Sequence, residues 1–219
     1  MTKKIAFFHT TTATVIPMKE EFQKRYPDVQ LISILEDGIL PEVIANQGEP
    51  TPSIKKRLVE YGAIAQEQGA QAFVCMCTTL GIAIREAQKA LTIPMISIDR
   101  PMLREAVRKG KKIGMLITFA PTKKASRDTI LAFAKDEGKE IDVDMILVEG
   151  ARDALNHGDK PLHDALIVKK AQELDQKYDV LVFAQATMLD AANQCTTVQT
   201  PILTSVASGM EQLQEYLKD

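Results

Sequence analysis

Cysteine is scarce in this chain, with three copies among 219 residues, and histidine is equally scarce. An odd number of thiols cannot all pair, and Cys75 and Cys77 stand too close in sequence to tie distant segments together. A disulfide framework is therefore not expected, and the three are read as free thiols in a reducing compartment. His9, His157 and His163 form neither His-x-His nor His-Glu-x-x-His, and Cys75-x-Cys77 has no second pair, so the usual zinc spacings are missing and no metal is expected. Neither G-x-G-x-x-G nor G-x-x-x-x-G-K-[ST] occurs, which removes the phosphate-cradling loops, and no organic cofactor is expected. The net charge is −2 and no basic run stands out, so a nucleic-acid or anionic-membrane partner is excluded. No apolar stretch approaches the roughly 18 residues of a membrane span. The opening MTKKIAFFHT lacks the apolar region and cleavage site of a secretion signal, and the chain reads as cytoplasmic.

What is present is an ordinary globular balance, 45% hydrophobic and 26% charged. Short runs rich in Val, Ile and Phe (KIAFFHT, VQLISIL, AFVCMC, PMISI, KIGMLIT, VDMILVE, VLVFAQ, PILTSV) alternate with segments of helical spacing, among them 53–68, 80–90, 122–136 and 163–177. Alternation of this kind predicts βαβ units, hence an α/β fold with parallel sheet. The second half also repeats the first at an offset of about 108 residues. Lys4-Ile5 with Thr10 matches Lys112-Ile113 with Thr118, and Pro94 matches Pro201. FVCMCTT overlays VFAQATM, which sets Cys77 on Ala186 and Thr78 on Thr187. Two α/β lobes are predicted, 1–98 completed by 206–219, and 99–205. In the returning segment Met210, Leu213, Tyr216 and Leu217 form one helix face.

Ligands of parallel sheets bind beyond the carboxyl ends of the strands, where the amides of the next helix face them. Those ends are rich in threonine here: Thr10, Thr11 and Thr12 after the first strand, Thr78 and Thr79 after the third, Thr118, Thr122 and Thr187 in the second half. Hydroxyls and helix-start amides suit a small carboxylate, although threonine also caps helices and favours strand ends for purely structural reasons. Cys75 lies within its apolar run as a small hydrophobe. Cys77 ends that run before a helical segment, where the helix start lowers a thiol pKa, and it fits a working thiol or a structural one. Cys195 precedes the last strand, at the opposite edge. His9 ends the first strand as a proton carrier, a carboxylate donor or a partly exposed loop residue. Glu149 opens a ligand-side loop and is a substrate contact, and Asp159 and Asp164 read as helix caps.

The ordered set of the Thr loop, CTT, PMISIDRPMLREAV, KIGMLITFAPTKKAS and VLVFAQATM resembles the Asp/Glu/hydantoin racemase superfamily over nearly the whole chain. That resemblance implies two Rossmann-like lobes related by a pseudo-twofold with the active site in the cleft between them. It also implies cofactor-independent chemistry at the α-carbon of a small carboxylate. Racemases of this kind resemble one another in carrying a cysteine on each lobe. Here Cys77 matches the first and Ala186 stands in place of the second, so two-thiol racemisation cannot be written. Three readings follow. Cys77 works with a partner that is not a thiol, such as His9, Thr187 or water; or Cys77 acts alone in a decarboxylase or cis–trans isomerase; or the protein binds a carboxylate without catalysis. Catalytic roles are expected for Cys77 and His9, and substrate contacts for Thr10, Thr11, Thr78, Thr79, Thr118, Thr122, Glu149, Ala186 and Thr187. Assembly as a homo-oligomer, a dimer, is also expected.

Overall fold

The computed structural model describes residues 2–218. The chain divides into two compact units, one running to Arg100 and resuming at Val206, the other comprising Pro101–Ser205. Each is built on four parallel strands. In the first unit β1 (Lys4–His9), β2 (Gln30–Leu35), β3 (Phe73–Cys75) and β4 (Met95–Ser97) lie in the order β2-β1-β3-β4. In the second, β5 (Lys112–Ile117), β6 (Asp142–Leu147), β7 (Val180–Phe183) and β8 (Ile202–Thr204) repeat it as β6-β5-β7-β8. All pairings are parallel.

The helices of the first unit are α1 (Val15–Arg25), α2 (Ile39–Ala45), α3 (Pro52–Glu67) and α4 (Gly81–Ala87). Helix α5 (Arg100–Lys109) leads into the second unit, which continues with α6 (Lys123–Asp136), α7 (Ala151–Asn156), α8 (Lys160–Leu174) and α9 (Leu189–Gln194). Helix α10 (Ser205–Gln212) then returns to the first unit. Local chemistry explains several boundaries. The Thr51 hydroxyl accepts from the Ile54 amide with Pro52 at the first helical position, and Asp159 accepts from Leu162 with Pro161 near the start of α8, both arrangements that satisfy helix-start amides. Asp164, expected as a cap, instead lies inside α8, where Lys160 and His163 hold its carboxylate.

Side chains alternate along β1 and fill two cores. Ala6 and Phe8 belong to one apolar cluster with Cys75, Cys77, Leu58, Leu80 and Ile84, whereas Phe7 packs edge-on against Phe22 of α1 at 5.2 Å. Helix α10 closes the α1 side. Tyr26 Oη donates to the Met210 carbonyl at 2.6 Å and Arg25 to that of Ala207 at 3.3 Å. Gly209 leaves no room for a side chain, since a Cβ there would stand 2.4 Å from the Ile98 carbonyl oxygen. Gly209→Ala is therefore expected to destabilise the protein by about 1–3 kcal/mol through overpacking. Gly38→Ala, whose nearest added contact is 4.0 Å away on right-handed backbone, should change stability by less than about 1 kcal/mol; urea midpoints of the two variants check the contrast.

Candidate functional site

Strand order places a topological switch point between β1 and β3, and another between β5 and β7, which are the positions where parallel sheets receive ligands. The pairing also fixes the internal correspondence. Phe8 pairs with Cys75, while Leu116, in the place of Phe8, pairs with Phe183. Two residues beyond Cys75 is Cys77, and two beyond Phe183 is Gln185. The following 3-10 turns agree, opening at Thr78 and at Ala186. The counterpart of Cys77 is thus Gln185 and not Ala186. The sequence overlay slipped by one residue because it matched Thr78 to Thr187, whereas the sheet register matches Thr79 to Thr187.

Cys77 is the N-cap of the turn Thr78–Leu80, 9% exposed, at the carboxyl end of β3. Burial pushes its thiol above the ordinary range, and this outweighs the hydrogen bonds that favour the thiolate: the Thr10 hydroxyl, the Thr79 amide and hydroxyl, and the Leu80 amide. The expected lowering by the turn start is present but loses to desolvation. Cys75 is fully buried with its thiol pushed up more strongly, and Cys195 packs into the core of the second unit, its sulfur on the Ala191 carbonyl.

Sequence reasoning missed Asp99. It follows β4, is wholly buried, and its carboxyl group meets the hydroxyls of Ser97 and Thr78 while Oδ2 has no partner. The signal was available in SID at the end of an apolar run, an acid placed where burial is expected. His9 ends β1 at the same carboxyl edge but on the other side of the sheet. It follows Phe7 in the strand's alternation, with ring centroids 6.3 Å apart, and so faces the α1 side, whereas Cys77 belongs to the opposite core. It is completely buried rather than a loop residue, and Nδ1 lies 2.9 Å from Thr14 Oγ1. Thr11 caps its own turn, accepting from Ala13, so the capping role applies to it.

Burial lowers His9 from 6.5 to about 4 and raises Asp99 from 3.8 to about 6. For His9 the unfolded chain holds the extra proton between those limits, so its contribution is complete above pH 6.5 and is lost as pH falls towards 4. Asp99 has the opposite sign: the folded chain holds the extra proton, and stability falls as pH rises from 3.8 through 6. The two slopes oppose each other between pH 4 and 6. Asp99→Asn is expected to unmask the histidine, giving a stability that rises by up to about 1.4 kcal/mol per pH unit across that window, read from urea unfolding at several pH values.

At the switch point of the second unit, Gln185 Oε1 accepts from the Thr118 amide at 2.9 Å, and Nε2 donates to Thr122 Oγ1 at 3.4 Å. This amide ties the end of β5 to the turn that follows it. Ala186 and Thr187 are half-buried in the turn after β7. Glu149 is exposed beyond edge strand β6, with β5 between it and β7. His157 bonds the Asp153 carbonyl and His163 the Asp164 carboxylate, both in the α7–α8 region. Among the described residues no group of three or more His, Cys, Asp or Glu side chains could hold a metal ion, and no helix is long and apolar enough to cross a membrane.

The family model for Asp/Glu/Hydantoin racemase matches residues 8–213. Among solved structures, glutamate racemase from Thermus thermophilus in complex with β-chloro-D-alanine is similar with a TM-score of 0.70 and 15% identity, over 99% of this chain and 80% of that one. The Picrophilus torridus aspartate racemase gives 0.70 at 13% identity, over 99% and 95%. Allantoin racemase from Klebsiella pneumoniae gives 0.66 at 14% identity, over 98% and 87%. At such identities the likeness is one of fold. No curated protein sequence matches the chain.

Proposed function

Because the chain belongs to the Asp/Glu/hydantoin racemase family, we propose that it is a cofactor-independent, isomerase-type enzyme acting at the α-carbon of a small carboxylate, with Cys77 moving the proton. The observation that supports this reading is the surroundings of the Cys77 sulfur. Burial keeps it a thiol at rest, and a thiol is a donor. Once the proton has gone, the thiolate left behind is received by the Thr10 and Thr79 hydroxyls and the Thr79 and Leu80 amides. Donors arranged in advance around a charge that develops during reaction are the main electrostatic device of catalysis. A carbanion or enediolate at the α-carbon is the natural recipient of such a proton.

Gln185 favours the one-thiol versions of this chemistry. Its amide neither gives nor takes a proton near neutral pH, and it already serves Thr118 and Thr122. Decarboxylation asks for one thiol as proton donor, and cis–trans isomerisation of a dicarboxylate for one thiolate that adds to the double bond and leaves after rotation; neither asks for a second. Glutamate, aspartate and allantoin are the first probes because similar structures are named for their racemisation, and maleate and a 2-substituted malonate cover the one-thiol reactions. The test is incubation in heavy water, followed by mass spectrometry and chiral chromatography. Deuterium at the α-carbon of a product of one handedness is the expected result. Absence of exchange and conversion with every probe would overturn the catalytic reading.

A further inference from the structure

The fold itself does not call for a histidine at the end of β1. In β5 the same place is taken by Ile117, with Phe119 and Thr122 in the places of Thr11 and Thr14. An apolar side chain therefore suits the position. His9 buries an imidazole there with Nε2 unpartnered, an arrangement that weakens folding unless something meets the nitrogen.

The hydrogen bonds around the ring decide which nitrogen carries the proton. Thr14 Oγ1 lies 3.2 Å from the Thr11 carbonyl, to which only a hydroxyl hydrogen can be given, and 2.9 Å from His9 Nδ1. A hydroxyl has a single hydrogen. With that hydrogen on Thr11, the oxygen can only accept, so Nδ1 must be the protonated nitrogen. The second unit shows the same habit where no histidine competes: Thr122 Oγ1 donates to the Phe119 carbonyl at 2.7 Å. The other tautomer would lose the Thr11 bond and leave a buried N–H without an acceptor, which is rarer in proteins than an unpaired lone pair. Burial also keeps the ring neutral near neutral pH, so Nε2 retains its lone pair.

We propose that Thr14 is a positioning residue that locks His9 as the Nδ1–H tautomer and so presents Nε2 as a hydrogen-bond acceptor for an N–H or O–H donor of the ligand. This rests on reading the carboxyl edge of the first unit as a small-carboxylate site. It adds a direction: Cys77 is the donor of that edge and His9 its acceptor.

The test uses the full-length protein labelled with nitrogen-15 at histidine, with His9 assigned through His9→Asn. The resting protein should show a protonated Nδ1 and an unprotonated Nε2. Thr14→Ser should preserve that pattern, and Thr14→Val, which keeps the shape but removes the hydroxyl, should mix or reverse the tautomers. A proton on Nε2 in the parent, or a Thr14→Val spectrum identical to it, overturns the proposal. Aspartate and malate then probe the acceptor, one offering an ammonium and the other a hydroxyl. Movement of the Nε2 resonance with either supports the ligand-facing role, and its indifference to both overturns that role. Because the resting spectrum needs no turnover, this proposal and the thiol reading, which is judged by conversion, fail separately.

Discussion

Replacing Cys77 by alanine is expected to slow deuterium transfer to the substrate α-carbon by about a hundredfold to ten-thousandfold, the span usually lost with a positioned acid or base. The side chain removed is small, so the protein should remain folded, with its urea midpoint reported beside the rate. Cys77→Ser is the more searching variant. It keeps the bonds to Thr10 and Thr79 but substitutes an alcohol, a far weaker acid than a thiol, and should be nearly as slow as alanine. Cys75→Ala is the control. That sulfur sits in the same core, wholly buried, with its bond to the Cys77 carbonyl at 3.6 Å, and its loss should leave the rate within a few-fold of the parent. A Cys75 variant as slow as Cys77→Ala would move the chemistry away from the end of β3.

The second large effect concerns the floor beneath that thiol. Phe8 is fully buried, its ring stacked on Phe73 at 5.6 Å and tilted against Tyr61 at 5.2 Å. Phe8→Ala is expected to destabilise the protein by about 3–5 kcal/mol, the usual loss when a core phenylalanine leaves a cavity. Phe8→Leu, which keeps most of the volume, should lose much less. Equilibrium unfolding in urea measures both. A Phe8→Ala loss below about 1 kcal/mol would mean that the core collapses around the gap, which close packing opposes.

How far the sequence could be read depended on the kind of signal. The fold class followed from alternating apolar runs, and the switch-point threonines from their places after strands. Cys77 followed from being the residue where an apolar run stops. The failure over Ala186 has a precise origin: a repeat of short motifs tolerates a slip of one residue, and only hydrogen-bonded pairing sees it, because Phe8–Cys75 and Leu116–Phe183 cannot shift without turning every side chain to the other face. His9 illustrates a different limit. Sequence put it at the correct edge, but the side of the sheet it faces is set by strand alternation whose phase is legible only once Phe7 and Phe22 are seen together. Asp99 and Thr14 were overlooked because their importance lies in what is buried around them, and burial belongs to the tertiary structure.

The return of α10 to the first unit bears on how the chain is made. A ribosome releases the whole of Pro101–Ser205 before the segment that packs on α1, so the inserted unit can complete its sheet while its host still lacks a helix. Domains commonly fold in the order in which they emerge; here the unit begun first is finished last. Until Met210 reaches Tyr26 and Gly209 seats against Ile98, the end of α1 and the segment after β4 lack the helix that packs on them. Translation that stopped near residue 205 would leave one sound half attached to one that cannot close.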